Sequence, residues 1–191
     1  MKTVLRNRIL TERRALSSDQ IYSLSQAIFA RLKGYLHNKS FDSMLIYYPI
    51  HHEVDTTIMF DYFWKQNKAL FLPGIRGDQL YPIRFTPDSA IKEGPHHIPV
   101  PDAPETIFAP ILPDVAIIPC LACDQHRYRL GYGKGYYDRF LTKKTLKIGF
   151  CYDFQLVDHL PVESHDIQLD VIITEKMLLI YLCFVHLIQY Y

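Results

Sequence analysis

The sequence predicts one α/β domain built on a mainly parallel sheet flanked by helices, and three observations lead there. Short apolar runs at residues 44–48, 69–72, 115–118, 147–152 and 171–174 read as buried strands. Stretches with helical spacing of apolar residues alternate with them, the pattern of a doubly wound sheet. The length of 191 residues supports one sizeable core and is short for two, so residues 1–191 read as a single domain.

Residues 2–16 lack Gly and Pro and form a basic helix, with Val4, Leu5 and Ile9 on one side and Lys2, Arg6 and Arg13 elsewhere. Ser17 and Gln20 make a capping box for a second helix, whose Ile21, Leu24, Ile28 and Leu32 keep helical spacing and which Gly34 is expected to close. Pro49 ends the first strand, and Thr56 is expected to cap a helix running to Trp64. Between residues 95 and 113 fall six of the twelve prolines, which predicts an extended connection without regular elements, wrapping the substrate region. A helix is expected at residues 136–143. No internal repeat is visible. The tail, residues 176–191, is apolar from 177 to 188 except for His186. At about 12 residues this run is shorter than the roughly 20 that span a bilayer, and it reads as a terminal helix packed on the core.

Lys and Arg total 21 against 20 Asp and Glu, so there is no global attraction to nucleic acid or to an anionic membrane. Any phosphate binding must be local, which favours a small anionic ligand. The first segment is charged and amphipathic without the apolar centre of a signal peptide, and four cysteines fit a reduced cytoplasmic protein. Cys120 and Cys123 form a C-x-x-C, but no second pair or suitably spaced His pair completes a zinc site. Cys151 and Cys183 lie in apolar runs and read as core thiols. His51, His52, His96 and His97 receive no ligand role, since adjacent histidines on an extended chain do not readily chelate one ion.

The chemistry concentrates at residues 129–138, R-L-G-Y-G-K-G-Y-Y-D. Gly131, Gly133 and Gly135 allow positive φ and close approach of a ligand to backbone N–H groups, while Arg129 and Lys134 add positive charge. The following helix would present its N-terminus to the same anion, with Asp138 one turn in. The spacing matches neither a P-loop, which needs Ser or Thr after the Lys, nor G-x-G-x-x-G. Taken alone, the glycines also fit a flexible turn between strand and helix.

In its motifs and their order, the chain resembles the 5-formyltetrahydrofolate cyclo-ligase (methenyltetrahydrofolate synthetase) family. The resemblance rests on Lys2 and Arg6, on Arg13, Arg14, Leu16 and Ser17, and on the Y-x-P-x-x-x-E-x-D-T segment at residues 47–56. It continues through P-x-L-A-x-D at 119–124, the glycine loop, His165-Asp166, Asp170 and residues 172–175. The implied fold is a three-layer Rossmann-like sheet of the kind shared with sugar-phosphate isomerases and CoA transferases. The implied activity is ATP-dependent closure of 5-formyltetrahydrofolate to 5,10-methenyltetrahydrofolate with Mg²⁺, releasing ADP and phosphate after phosphorylation of the formyl oxygen. Carried over, ATP would meet Lys2, Thr3, Val4, Leu5 and Arg6 of the first helix and Arg129, Leu130, Gly131, Tyr132, Gly133, Lys134, Gly135, Tyr136 and Tyr137 of the loop. Lys134 and Arg129 take the catalytic role, and Asp138 and Asp166 the metal. The folate would meet Tyr48, Glu53, Tyr132, Gly133, Lys134, Gly135 and Tyr136.

Without the resemblance, Glu53 reads as a solvated loop acid, Tyr48 as core, Asp138 as a helix N-terminal charge and Asp166 as a loop turn residue. Cys120 and Arg127 stand where the family has Gly, so Arg127 is strained if its turn needs positive φ. Two other readings stay open at this level: a non-catalytic folate or nucleotide sensor, and an isomerase or transferase on a similar scaffold that needs no ATP.

Overall fold

The computed structural model describes residues 2–102, 112–141 and 144–180. A seven-stranded sheet in the order β12-β11-β9-β6-β1-β2-β3 forms the centre. Its parallel strands are β1 (Ser43–Leu45), β2 (Ala69–Arg76), β6 (Val115–Pro119), β9 (Leu146–Phe150) and β11 (Val171–Ile173). At its ends β3 (Gln79–Phe85) pairs antiparallel with β2, and β12 (Leu178–Ile180) antiparallel with β11. The hairpin partner β3 was not anticipated. Gly77, at φ 59, makes the turn between β2 and β3.

Alternating side chains divide the core between the two sheet faces. Met44, Ile46, Leu70, Leu72, Ile117, Ile148 and Ile173 pack against α2 (Ser18–Leu36) and α3 (Thr57–Lys65). Leu45, Phe71, Ala116, Ile118 and Ile172 face the other side, under Tyr136, Tyr137 and Phe140 of the short α4 (Tyr136–Phe140). A small sheet of β10 (Leu156–Val157), β7 (Ala122–Asp124) and β8 (Arg129–Leu130) lies beyond. Helix α1 (Lys2–Arg14) reaches this sheet through Leu5, which packs on Ala122, Leu130 and Leu160.

Several elements differ from expectation for local reasons. The Ser17–Gln20 capping box is present, but α2 runs through Gly34 to Leu36, because the buried Leu32 and Leu36 hold its last turn against the core. Thr56 turns its hydroxyl to the Tyr47 carbonyl at 2.6 Å, and the Asp55 carboxylate accepts the Thr57 N–H at 2.9 Å in its place. The proline-rich stretch contains a 3₁₀ turn (Pro95–His97) and β5 (Pro99–Pro101), which pairs with β4 (Ile91–Glu93). Residues 103–111 lie outside the described residues, as do 142–143 at the expected end of α4. The tail begins as the edge strand β12 and not as a helix, since β11 offers an open ladder to it; Cys183, His186 and the remainder of 181–191 are outside the described residues. Among the described residues, no helix is long and apolar enough to cross a membrane.

Candidate active site

From β1 the chain proceeds to β2 on one side, and β6 lies on the other, so the sheet changes winding direction between β1 and β6. Parallel sheets open a crevice beyond the strand C-termini at such a point. Here it is a cavity of about 510 Å³. Tyr47, Tyr48 and Glu53 beyond β1, Pro119 at the end of β6, and Pro73 and Ile75 of β2 line it. Residues 129–138 form the facing wall, and Lys2 and Arg6 of α1 with Glu163, His165 and Asp166 close one side. A pocket of this size with convergent charged groups suits a small-molecule ligand. Ile98, from the proline-rich connection, also touches it.

The glycine loop owes its shape to two residues. Gly133 has φ 96 and Gly135 φ 64, conformations that side-chain-bearing residues rarely adopt. A Cβ on Gly133 would also stand 3.2 Å from the Arg6 guanidinium. Gly131 needs no positive φ; its carbonyl accepts a hydrogen bond from Arg6 Nε at 2.9 Å, tying the loop to α1. With only five residues, α4 adds little macrodipole, so charge at the loop comes mainly from side chains. Lys134 is exposed, and among the described residues its ammonium has no hydrogen-bond partner.

The Arg129 side chain is only 6% exposed and pairs with Asp138 at 2.9 Å, and the other Asp138 oxygen accepts the Ile167 N–H at 3.0 Å. This carboxylate therefore has a structural duty that its position in the sequence does not announce. Asp166 accepts the Glu163 N–H at 2.8 Å. Lys2 Nζ lies 2.8 Å from Glu163 and 3.7 Å from Asp166, and the hydrogen bond to Glu163 raises the Lys2 pKa.

Glu53 is not a solvated acid. Only 5% exposed, it follows a tight turn in which both His51 and His52 adopt left-handed backbone, φ 50 and 57. Its Oε2 accepts the Ile50 N–H at 3.0 Å and its Oε1 the Tyr132 hydroxyl at 3.0 Å. Burial raises its pKa, opposed first by the neighbouring Arg13 and then by these two hydrogen bonds.

Of the residues expected to bind ligands, Lys2, Arg6, Tyr48, Glu53, residues 129–137, Asp138 and Asp166 all meet the cavity. Thr3, Val4 and Leu5 do not line it: Val4 is 73% exposed, Thr3 is exposed, and Leu5 packs inward on the small sheet. Residues missed by the sequence reading are Tyr47, Glu163 and above all Arg13. Their signal was present for Arg13, since Lys2, Arg6 and Arg13 are four and seven residues apart and share one helix face.

Elsewhere, Arg127 does adopt positive φ, 64, and its Nε holds the Leu169 carbonyl at 3.0 Å. Cys120, Cys123 and Cys151 are buried free thiols whose pKa values are raised, for Cys120 and Cys123 chiefly by burial. That environment makes them inert. Among the described residues, no group of three or more His, Cys, Asp or Glu could hold a metal by itself.

The profile of the 5-formyltetrahydrofolate cyclo-ligase family matches residues 1–175. A 5-formyltetrahydrofolate cyclo-ligase of Mycoplasma pneumoniae is 35% identical over 179 residues, 92% of this chain and 99% of its own. The Escherichia coli K12 enzyme of the same name is 30% identical over 178 residues, 87% of this chain and 96% of its own. Among solved structures, the Aquifex aeolicus 5,10-methenyltetrahydrofolate synthetase superposes with a TM-score of 0.82 at 34% identity, covering 99% of this chain and 96% of its own. The M. pneumoniae synthetase gives 0.74 at 31% identity, covering 92% and 99%. Because the match spans α1, the Glu53 turn, the glycine loop and Asp166, the chain belongs to the 5-formyltetrahydrofolate cyclo-ligase family.

Proposed function

We propose that this protein closes the ring of 5-formyltetrahydrofolate to give 5,10-methenyltetrahydrofolate, with conversion of ATP to ADP and phosphate. The observation that carries the reading is one cavity in which a buried carboxylate, Glu53, and a cation-rich glycine loop face common space in a chain of this family. A formamide oxygen is a very poor leaving group. Transfer of the γ-phosphoryl group to it breaks the bond to ADP and forms a phosphate ester, after which N10 attacks the formyl carbon, the carbon–oxygen bond to phosphate breaks, and the N10 proton leaves. Such chemistry asks the protein mainly for positioning and charge neutralisation.

Glu53 would accept hydrogen bonds from the pterin amino group and ring N–H, with Tyr48, Tyr132 and Tyr136 offering ring faces to the folate. Lys2, Arg6, Arg129 and Lys134 would neutralise phosphate oxygens. Lys134 would act nearest the transferred group, because its ammonium is exposed and free of hydrogen bonds among the described residues, whereas Arg129 is committed to Asp138. Asp166, which accepts a backbone N–H through one oxygen, would hold Mg²⁺, and Asp138 would join it through lone pairs that Arg129 and the Ile167 N–H leave over; the ion commonly takes one or two carboxylates and completes its shell with phosphate and water. When bound, the ion supplies charge neutralisation on the phosphates. A cytoplasmic location belongs to the same proposal, and three free thiols accord with a reducing compartment.

The test is spectrophotometric: methenyltetrahydrofolate formation from 5-formyltetrahydrofolate with and without ATP and Mg²⁺. Product only when both are present is expected. Folate and nucleotide binding without turnover would replace this reading with that of a sensor.

A further inference from the structure

We propose that Arg13 is a positioning residue of this site, its buried guanidinium joining the Tyr132 hydroxyl and the Glu53 carboxylate in one bridge that ties Glu53 to the glycine loop and sets a positive charge beside it. The inference deepens the reading of Glu53 as the folate carboxylate and rests on it. Arg13 is 1% exposed and stands behind the cavity wall. Its Nη2 donates to the Tyr132 hydroxyl at 2.8 Å, that hydroxyl donates to Glu53 Oε1 at 3.0 Å, and Arg13 Nη1 lies 3.8 Å from the same carboxylate oxygen.

Two features separate this arrangement from an ordinary structural ion pair. Among the described residues Arg13 Nε is buried without a hydrogen-bond partner, an unfavourable state for a donor, so the guanidinium is held where Tyr132 and Glu53 need it and not where its own donors are best satisfied. Tyr132 also belongs to the glycine loop, whose Gly131 carbonyl is held by Arg6 on the same helix. Helix α1 thus grips the loop at two adjacent residues, through Arg6 on the phosphate side and Arg13 on the carboxylate side.

The charge balance around Glu53 depends on Arg13. Tyr132 from the loop, Tyr137 from α4, Tyr47 beyond β1, and Tyr152 and Cys120 beyond β9 and β6 all face it, and burial raises their pKa values, so they are neutral near pH 7. Tyr152 donates to the Glu53 carbonyl at 3.0 Å. On the turn itself, partial burial and then the Arg13 charge lower the His51 pKa, which leaves that ring neutral too. His52 places Nδ1 3.0 Å from the Arg13 carbonyl. Burial already raises the Glu53 pKa and Arg13 is the foremost opposing influence, so without Arg13 the carboxyl keeps its proton to higher pH. Folate affinity that depends on the ionised form is then lost at low pH and recovered as pH rises.

Glu53 can be followed directly by NMR titration of carboxyl-¹³C-labelled glutamate in the full chain without ligand, alongside folate KM and kcat against pH. Arg13→Gln is expected to raise the Glu53 midpoint by about 1 to 3 pH units. Arg13→Lys should restore most of that, and the folate KM of Arg13→Gln should follow the new midpoint while kcat moves less. An unshifted midpoint in folded Arg13→Gln overturns the proposal. Should that variant not fold, Tyr132→Phe removes the bridging hydroxyl from a side chain on the loop surface, and an unchanged Glu53 midpoint there overturns it equally. A shifted midpoint with unchanged folate KM supports the bridge and overturns the folate assignment of Glu53 instead.

Discussion

Glu53 shows what one residue gains from its surroundings: an isolated acid in the sequence becomes a buried carboxylate aligned by a backbone N–H and a tyrosine hydroxyl. Glu53→Gln keeps its size and removes the charge, so we expect folate KM to rise about 10- to 100-fold, as for loss of a charged hydrogen bond, with ATP KM near the parent value. Lost ATP affinity with intact folate affinity would reverse the assignment. The two aspartates are unequal in a way that their motifs do not reveal. Asp138→Asn leaves the largely covered Arg129 side chain without its counter-charge, a change that typically costs about 3 to 5 kcal/mol, so its melting temperature should fall and its kinetics mix two effects. Asp166→Asn can still accept the Glu163 N–H and is the cleaner probe: we expect native-like melting and a roughly tenfold or greater rise in the Mg²⁺ concentration needed for activity. Lys134→Met, at an exposed ammonium, should lower kcat by about a hundredfold with the Mg²⁺ response retained. A parental Mg²⁺ response in Asp166→Asn would remove that residue from the metal site.

At the scale of elements, the capping box shows sequence and structure in agreement, because Ser17 and Gln20 satisfy each other within four residues. Gly34 shows the opposite. It reads as a helix stop, yet α2 continues past it, since burial of Leu36 outweighs glycine's local cost. A Cβ at Gly34 would meet nothing within 4 Å. Gly34→Ala should therefore stabilise the protein by about 0.5 to 1 kcal/mol and raise the melting temperature by about 1 to 4 °C, with unchanged kinetics. A lower melting temperature would mean that the helix uses the glycine for something besides its backbone freedom. The β2–β3 hairpin and β12 were missed for a related reason: edge strands are defined by the partner that accepts them, and no local spacing records that partner.

For the whole molecule, chemistry and stability occupy different parts of the chain. No recognised site residue lies beyond Asp166, but the Thr174 N–H donates to the Met177 carbonyl and the Thr174 hydroxyl accepts the Met177 N–H across the final turn, and Leu178, Leu179 and Ile180 close the sheet edge against the core. Cutting after Glu175 removes these contacts. Area arguments give a loss of roughly 2 to 4 kcal/mol, so we expect the melting temperature to fall by about 5 to 15 °C while the folded truncation keeps its KM values at low temperature. A soluble, folded and inactive truncation would show that the tail shapes the pocket.

By itself the sequence determined the α/β class, the order of the central strands along the chain, the glycine loop and most of the residues that meet the cavity. Those features are local: apolar runs, glycine spacing and charge at fixed offsets follow from the covalent order of residues. Only the tertiary structure decided the strand order across the sheet, the crevice between β1 and β6, the Asp138–Arg129 pair, and the placing of Arg13 behind Glu53 and Tyr132. These contacts join residues 9 to 119 positions apart, and which basic side chain on a helix face is covered, and by what, is fixed only when distant elements pack.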